Sequence, residues 1–262
     1  MTLFPVSQLA PCADVVTNYN QVEGFGAQFH HIIAAAVYAE LEQKTFLYTP
    51  FSSMEHNYDN DSDFLVKKER LINFIGNFDL NPYGDIPPKT YKSFFDKNVI
   101  ACEKSKALRK IKNIFRANKN KDNYFDPDSF NIAIHIRRQN PQDNRRAGTD
   151  TPDQFFTAVI DALRKKYKSQ KPRFHLYSQG SPKDYQKFVA DDVVLHINES
   201  IEDTFTAMVF ADVLVSCASS LSYAAGLLSD GVVYYIPFWH APLPDWISAN
   251  TLVPPSLAQE YR

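Results

Sequence analysis

The chain has 262 residues, 44% apolar and 22% charged, with a formal net charge of −2 and a pI near 6.4. That composition supports real cores in one large or two ordinary domains, and its charge balance argues against nucleic acid as the main partner. The three cysteines, Cys12, Cys102 and Cys217, lack metal spacing and are odd in number, which argues against a zinc site or a disulfide framework. No apolar run approaches the ~20 residues needed to cross a bilayer. The opening MTLFPVSQLAPCADVV lacks the basic region of a secretory signal, so a soluble, cytoplasmic chain is expected.

In chain order, the first informative stretch is Glu23-Gly24-Phe25-Gly26-Ala27-Gln28 followed by FHHIIAAAVYAELE. Two glycines lead into an amphipathic helix whose apolar side carries Ile32, Ile33, Ala36 and Val37. Gly24 and Gly26 there let a ligand approach a helix N-terminus, whose free N–H groups favour anions; a tight turn without a ligand is the alternative. No Rossmann fingerprint and no GxxxxGK[ST] loop is present.

Lys44–Thr49 reads as a strand ending at Pro50, followed by a loop with Glu55, His56, Asp59, Asp61 and Asp63. A polar loop after a strand is a natural place for a general base. Asp59-Asn60-Asp61 and Asp61-Ser62-Asp63 resemble the paired carboxylates that hold a divalent cation with a nucleotide, but such short DxD strings are common by chance in acidic loops, which is the favoured reading. Phe64–Phe78 is expected to be helical, Asn81–Pro88 a turn-rich linker, and Lys89–Asn120 mostly helical. The basic residues Lys104, Lys106, Arg109, Lys110, Lys112, Arg116, Lys119 and Lys121 form either a solvated face or a contact with an acidic surface. Asn123–Ser129 has turn chemistry and marks the boundary between an N-terminal α/β domain, 1–128, and a C-terminal one, 129–240.

The second domain alternates regularly. Strands are expected at Ile132–Ile136, Arg173–Ser178, Val193–Ile197, Asp212–Ser216 and Val232–Ile236. Helices are expected at Pro152–Tyr167 (Thr151 as N-cap), Pro182–Val189, Ile201–Phe210 and Ser219–Leu228. This is the pattern of a parallel, doubly wound sheet. A Pro-rich tail, 241–262, is expected to pack through Trp239 and Trp246.

Parallel strands end along one edge, so their loops converge. One carries His135, Arg137 and Arg138; another Ser178 and Gln179; a third Asn198, Glu199, Asp203 and Thr204; a fourth Ser216, Ser219, Ser220 and Ser222. Adjacent arginines present forks that match phosphate oxygens, and a serine-rich helix start offers further N–H groups. Together they read as a cradle for a diphosphate.

His135-Ile136-Arg137-Arg138 resembles the HxRR motif of the fucosyltransferase-like superfamily, which includes α-1,2-, α-1,6- and protein O-fucosyltransferases. Gly24–Gln28 is similar to the turn that opens their N-terminal domain, Ser219–Ser222 to their serine-rich donor loop, and Asp203-Thr204-Phe205 to a further donor motif. The resemblance implies a GT-B-like α/β fold, two Rossmann-like domains facing a central cleft. It also implies a glycosyltransferase, in a superfamily most of whose members invert, without a resident cofactor, whose nucleotide-sugar donor is a co-substrate and whose acceptor is a glycan hydroxyl; with arginines supplying the charge and the DxD strings weak, a metal is expected to be dispensable. On it, Arg137 and Arg138 stabilise the departing diphosphate with help from Ser220 and Ser222, and His135 orients the ribose or base. Gly24, Gly26, Ser178, Asp203, Thr204 and Ser219 complete the donor site. Asn140 stands where members often have Asp, and Ala27 where many have Asn. The donor therefore stays open between GDP-fucose and a UDP-pentose such as UDP-xylose, a possibility shared with relatives encoded by large DNA viruses. The base stays open among Glu23, Glu55, His56 and Asp59, with Glu55 and His56 ranked first. Competing readings are a non-catalytic nucleotide-sugar or glycan-binding protein, a phosphate-ester enzyme and a purely structural α/β protein.

Overall fold

A computed structural model describes residues 14–19, 22–83, 91–138 and 150–260. Cys12, most of the Asn81–Pro88 linker and Asn140 lie outside the described residues.

The C-terminal half is a six-stranded, all-parallel sheet. Its strands are β3 (Phe130–His135), β4 (Pro172–Ser178), β5 (Val193–Ile197), β6 (Val213–Ser216), β7 (Val232–Tyr235) and β8 (Ile247–Ser248), in the spatial order β5-β4-β3-β6-β7-β8. Counted from β3 this is the 3-2-1-4-5-6 order of a dinucleotide-binding sheet, in which ligands lie outside the carboxyl ends where the order reverses. Here that point falls between β3 and β6. The regular alternation made this half readable, because buried parallel strands are short apolar runs. The edge strand β8 was not expected: two residues of the tail carry no periodicity, and it is pairing with Tyr234 and Tyr235 that defines them.

Alternation along β3 divides the two faces. Ile132, Ile134 and Ile136 pack with Phe155, Phe156 and Val159 of α6 (Asp153–Lys166). Ala133 faces the opposite cluster. That cluster includes α7 (Ile201–Phe210), α8 (Ser220–Leu228) and nearly all of the N-terminal half. Helix α6 starts at Asp153 with Pro152 as N-cap, so Thr151 does not cap it. The Pro182–Phe188 segment is a 3-10 helix.

The N-terminal half is a smaller parallel unit. β1 (Val15–Thr17) pairs with β2 (Thr45–Leu47), and α1 (Phe25–Leu41) connects them. Helix α1 is buried around its whole circumference, not on one stripe. Phe29, Ile33, Ala34, Ala35 and Val37 are all sealed, because α1 is clasped between its own strands, α3 (Tyr91–Lys97), α5 (Lys106–Arg116) and α8. Each large apolar side chain so buried contributes about 1.5–3 kcal/mol. The chain thus has the GT-B-like layout, two parallel α/β halves across a cleft. Among the described residues the first half carries two strands plus the isolated Tyr48–Leu80 and Ile75–Phe78 bridges, and one continuous apolar cluster joins it to the second.

Helical runs in this half are shorter than their hydrophobicity suggested. α2 (Phe64–Ile72) stops at Asn73, which takes the left-handed conformation (φ 58°) tolerated by Asn. The 91–116 stretch breaks into α3, α4 (Val99–Glu103) and α5. At the start of α5 the Ser105 hydroxyl accepts the Leu108 N–H and donates to Glu40 Oε2 at 2.5 Å. The Glu40 carboxylate also accepts the N–H groups of Lys106 (3.0 Å) and Ala107 (2.6 Å). Burial alone would raise its pKa; these hydrogen bonds hold it below the ordinary value.

The basic run divides in two: Lys104, Lys106, Arg109 and Lys110 are exposed, as a solvated face requires, while the last four cations are used within the fold. Lys112 donates to Ser229 O and pairs with Asp230. Arg116 donates to Val209 O and Leu228 O, Lys119 to Leu71 O, and Lys121 pairs with Asp212. Cations placed on the last carbonyls of α7 and α8 satisfy groups no helix can pair internally, and they dock α5 on the second half.

Candidate active site

A cavity of about 630 Å³ opens at the β3/β6 reversal. It brings together Gly24, Gly26, Glu55 and His56 from the N-terminal half and His135, Arg137, Arg138, Ser178, Thr204, Ser219 and Ser220 from the C-terminal half. Its size falls in the range of small-molecule sites.

Three helices begin at its wall. α1 starts immediately after Gly24. α7 starts after Ser200, with Ile201 and Thr204 lining the cavity; α8 starts after Ser219, with Ser220 and Leu221 lining it. Helix N-termini carry unsatisfied N–H groups and partial positive charge. The Ser219 hydroxyl accepts the Leu221 N–H at 3.3 Å as the cap of α8.

The glycines serve the protein's own packing as well as any ligand. A Cβ on Gly26 would stand 2.4 Å from the backbone of Leu221, and one on Gly24 would stand 2.6 Å from the imidazole of His56. The small residue at 26 lets the N-termini of α1 and α8 meet at backbone distance, which directs two anion-favouring ends at one space.

The two arginines are held differently. Arg138 is anchored: its guanidinium donates to Thr151 O (3.0 Å) and Arg137 O (3.2 Å) and pairs with Asp153, a carboxylate that also pairs with Lys187. It lies over the Phe156 ring at 5.7 Å. Arg137 reaches along the cavity, with Nη1 3.5 Å from Gln179 Oε1. Ser178 braces this strand end by donating to Ile136 O at 2.6 Å.

His135 is buried, and both burial and the Arg137 charge push its pKa down to about 3. The imidazole is neutral at ordinary pH, with Nδ1 3.2 Å from Cys217 Sγ. Ser222 lies beneath the wall, not on it: its hydroxyl accepts the Cys217 N–H at 3.2 Å and donates to Ser219 O at 3.4 Å. Asp203 is likewise outside the wall. It accepts from the Ser200 hydroxyl at 2.7 Å while its N–H donates back to that hydroxyl, a reciprocal cap on α7.

Among the base candidates, Glu23 is paired with Lys92 at 2.8 Å. Glu55 and His56 sit side by side, 4.0 Å apart, and His56 Nδ1 is 2.6 Å from the Tyr58 hydroxyl. His56 has φ 73°, an unusual conformation for a non-glycine residue and one that tends to persist where the surroundings impose it. Asp59 is not on the wall, and Asp61 pairs with Lys67 at 2.6 Å. Among the described residues no three His, Cys, Asp or Glu side chains cluster as metal ligands would.

Tyr58 and Trp239 also line the cavity and had not been singled out for it. Tyr58 was legible only as a neighbour of His56. Trp239, expected to pack the tail, is instead 52% exposed at the rim. Trp246 does the packing, against Tyr223, Tyr235 and the bare Cα of Gly226. The tail reaches the first half through His240 Nδ1 and the Ala241 N–H, both on the Asp96 carboxylate. Among the described residues no helix is long and apolar enough to cross a membrane.

Compared with solved structures, the backbone is similar to that of NodZ alpha-1,6-fucosyltransferase soaked with GDP-fucose, at 13% identity and TM-score 0.45, covering 87% of this chain and 99% of that one. Fucosyltransferase NodZ from Bradyrhizobium is similar at 12% identity and TM-score 0.45 over 82% and 93% of the two chains. POFUT1 in complex with GDP-fucose is similar at 12% identity and TM-score 0.29 over 76% and 64%. No protein-family model and no curated protein matches the sequence.

Proposed function

We propose that the chain is an inverting glycosyltransferase that moves a sugar from a nucleoside-diphosphate donor, GDP-fucose or a UDP-pentose such as UDP-xylose, to a glycan hydroxyl. The observation that carries this reading is the convergence on one cavity of Arg137, Arg138 and three helix N-termini at the reversal point of a 3-2-1-4-5-6 sheet. A nucleotide fits such a crevice by fold logic alone. The excess of cationic and N–H donors fits its diphosphate.

As the glycosidic bond breaks, negative charge builds on the diphosphate. Donors fixed before the reaction stabilise that charge without reorganising. In this scheme Arg137 contacts the diphosphate, while Arg138, tied to Asp153 and Thr151 O, chiefly holds the strand end and Arg137 in place. Ser219, Ser220 and the N-termini of α1 and α8 complete the cradle. These groups carry the charge that a divalent cation would otherwise balance, so activity is expected to survive chelation. On the N-terminal side, His56 or Glu55 takes the acceptor hydroxyl's proton as it attacks the face opposite the diphosphate. Glu199 and Trp239 offer a carboxylate and an aromatic face for hydroxyl-rich ligands.

The test is incubation with GDP-fucose and with UDP-xylose, following donor hydrolysis and transfer to glycan acceptors, with and without EDTA. Turnover of one donor is expected. Tight binding without turnover would move the chain to a non-catalytic nucleotide-sugar-binding role.

A further inference from the structure

Cys217 and His135 lie on adjacent strand ends, both at least nine-tenths buried, with Sγ 3.2 Å from Nδ1. The scheme above gives Cys217 no task. The hydrogen bonds around it are unevenly assigned. Its backbone N–H is spent on the Ser222 hydroxyl, and the Ser222 hydrogen points to Ser219 O. The thiol carries one proton, with His135 Nδ1 at 3.2 Å and the Ser222 hydroxyl at 3.7 Å as acceptors beside it, the imidazole nitrogen being the nearer. Sulfur is a weak acceptor and imidazole nitrogen a good one, so S–H to Nδ1 is the favoured direction. Among the described residues the other ring nitrogen, Nε2, has no hydrogen-bond partner, it is not sealed from solvent, and His135 lines the cavity. Nε2 is therefore the nitrogen that meets the cavity.

The geometry points to Cys217 as a positioning residue that holds His135 in the Nε2–H tautomer, so that a neutral imidazole offers the cavity a hydrogen-bond donor. A neutral histidine left to choose its tautomer could equally present a lone pair, which repels an anion. Fixing the tautomer from behind is the usual job of the group bonded to the other nitrogen. Here a thiol replaces the more familiar carbonyl or carboxylate. The thiol adds no charge, leaving the positive field of Arg137 undiluted. The ligand half of this inference rests on the nucleotide-diphosphate reading; the tautomer half does not.

The test uses the full chain labelled with 15N-histidine. Ring nitrogen shifts are recorded by NMR for wild type, Cys217→Ser and Cys217→Ala, and GDP and UDP affinities are measured by calorimetry. Wild type is expected to show protonated Nε2 and bare Nδ1 at His135. Cys217→Ser, which keeps an O–H donor, is expected to retain that pattern and to bind within about 3-fold of wild type. Cys217→Ala is expected to show a mixture of tautomers and about 10-fold weaker binding, the scale of one hydrogen bond. A wild-type His135 protonated on Nδ1 overturns the proposal, as does a Cys217→Ala variant with unchanged spectrum and affinity. Absence of nucleotide binding with the Nε2–H spectrum intact overturns the nucleotide reading and leaves the Cys217–His135 pairing standing.

Discussion

Gly26 meets Leu221 backbone to backbone: a Cβ added at Gly26 would lie 2.4 Å from both Cα and N of Leu221. This contact lets the first turns of α1 and α8 share one cavity. Because the obstacle is backbone, it cannot swing aside. Gly26→Ala is expected to destabilise the fold by roughly 1–3 kcal/mol, the range for overpacking a tight contact, and to weaken diphosphate binding by parting the helix ends. Urea unfolding and nucleotide titration of the variant check both. A variant as stable as wild type with full affinity would show that the close approach is dispensable.

The adjacent arginines should not respond alike to the same change. Arg137→Lys keeps a charge but loses the planar fork, and is expected to lower GDP or UDP affinity by 10-fold or more, about 1.5–3 kcal/mol for charged hydrogen bonds, with little loss of stability. Arg138→Lys replaces a planar fork, whose Nη1 serves Thr151 O and Arg137 O and whose Nη2 pairs with Asp153, by a single nitrogen, so it is expected to lower stability as well as affinity. Equal and purely functional losses from both variants would contradict the division of labour.

Acid should weaken the fold before most carboxylates titrate. Burial keeps His30 well below its ordinary value; burial, aided by nearby positive charge, pushes His31 down to about 4 and His135 and His175 to about 3. These groups stay neutral when folded and protonate when unfolded, so protons favour the unfolded chain. Stability is fully kept above the unfolded value of 6.5 and falls between about 6.5 and 3, at up to about 1.4 kcal/mol for each pKa unit of separation. Glu40, held below 4.5, adds a loss in the same direction at lower pH. Urea midpoints at pH 7.5 and pH 5 test this: a clear drop is expected, and His175→Gln should flatten it. Equal midpoints would contradict it.

Substitutions at the mouth of the cavity separate chemistry from binding. His56→Ala and Glu55→Gln are expected to leave the diphosphate affinity within about 2-fold, since neither belongs to the anion cradle, while one of them lowers transfer to the acceptor by the 10²–10⁴-fold typical of a lost general base. Tyr58→Phe removes the partner of His56 Nδ1 and is expected to shift the pH profile of the reaction if His56 is the base. Unchanged transfer in both His56→Ala and Glu55→Gln would remove these residues from the mechanism.

Much of this was legible in order along the chain, for physical reasons. The strands Arg173–Ser178 and Asp212–Ser216 announced themselves because a buried parallel strand is a short apolar run, and the regular spacing of such runs, with the half-buried edge strand Val193–Ile197 among them, gave the sheet and its convergent loops. Gly24, Gly26, Arg137, Arg138, Ser219 and Ser220 were visible because helix starts and strand ends have chemical signatures. What local pattern could not convey was the partner of each group. Nothing near Arg138 in sequence reveals Asp153, nothing near Lys112 reveals Asp230, and Ser222 differs from Ser220 only by the helical turn that buries it under Cys217. Trp239 and Tyr58 joined the cavity through loop geometry, which carries no periodicity.

The most direct test of the central claim is calorimetric titration of the wild-type chain and of Arg137→Ala with GDP, UDP and the free nucleosides, at one fixed salt concentration. The account predicts that at least one diphosphate binds the wild type, that its nucleoside binds at least 10-fold more weakly, and that Arg137→Ala removes most of that difference. Diphosphate and nucleoside binding with equal affinity, or an Arg137→Ala variant that keeps the full preference, would contradict it.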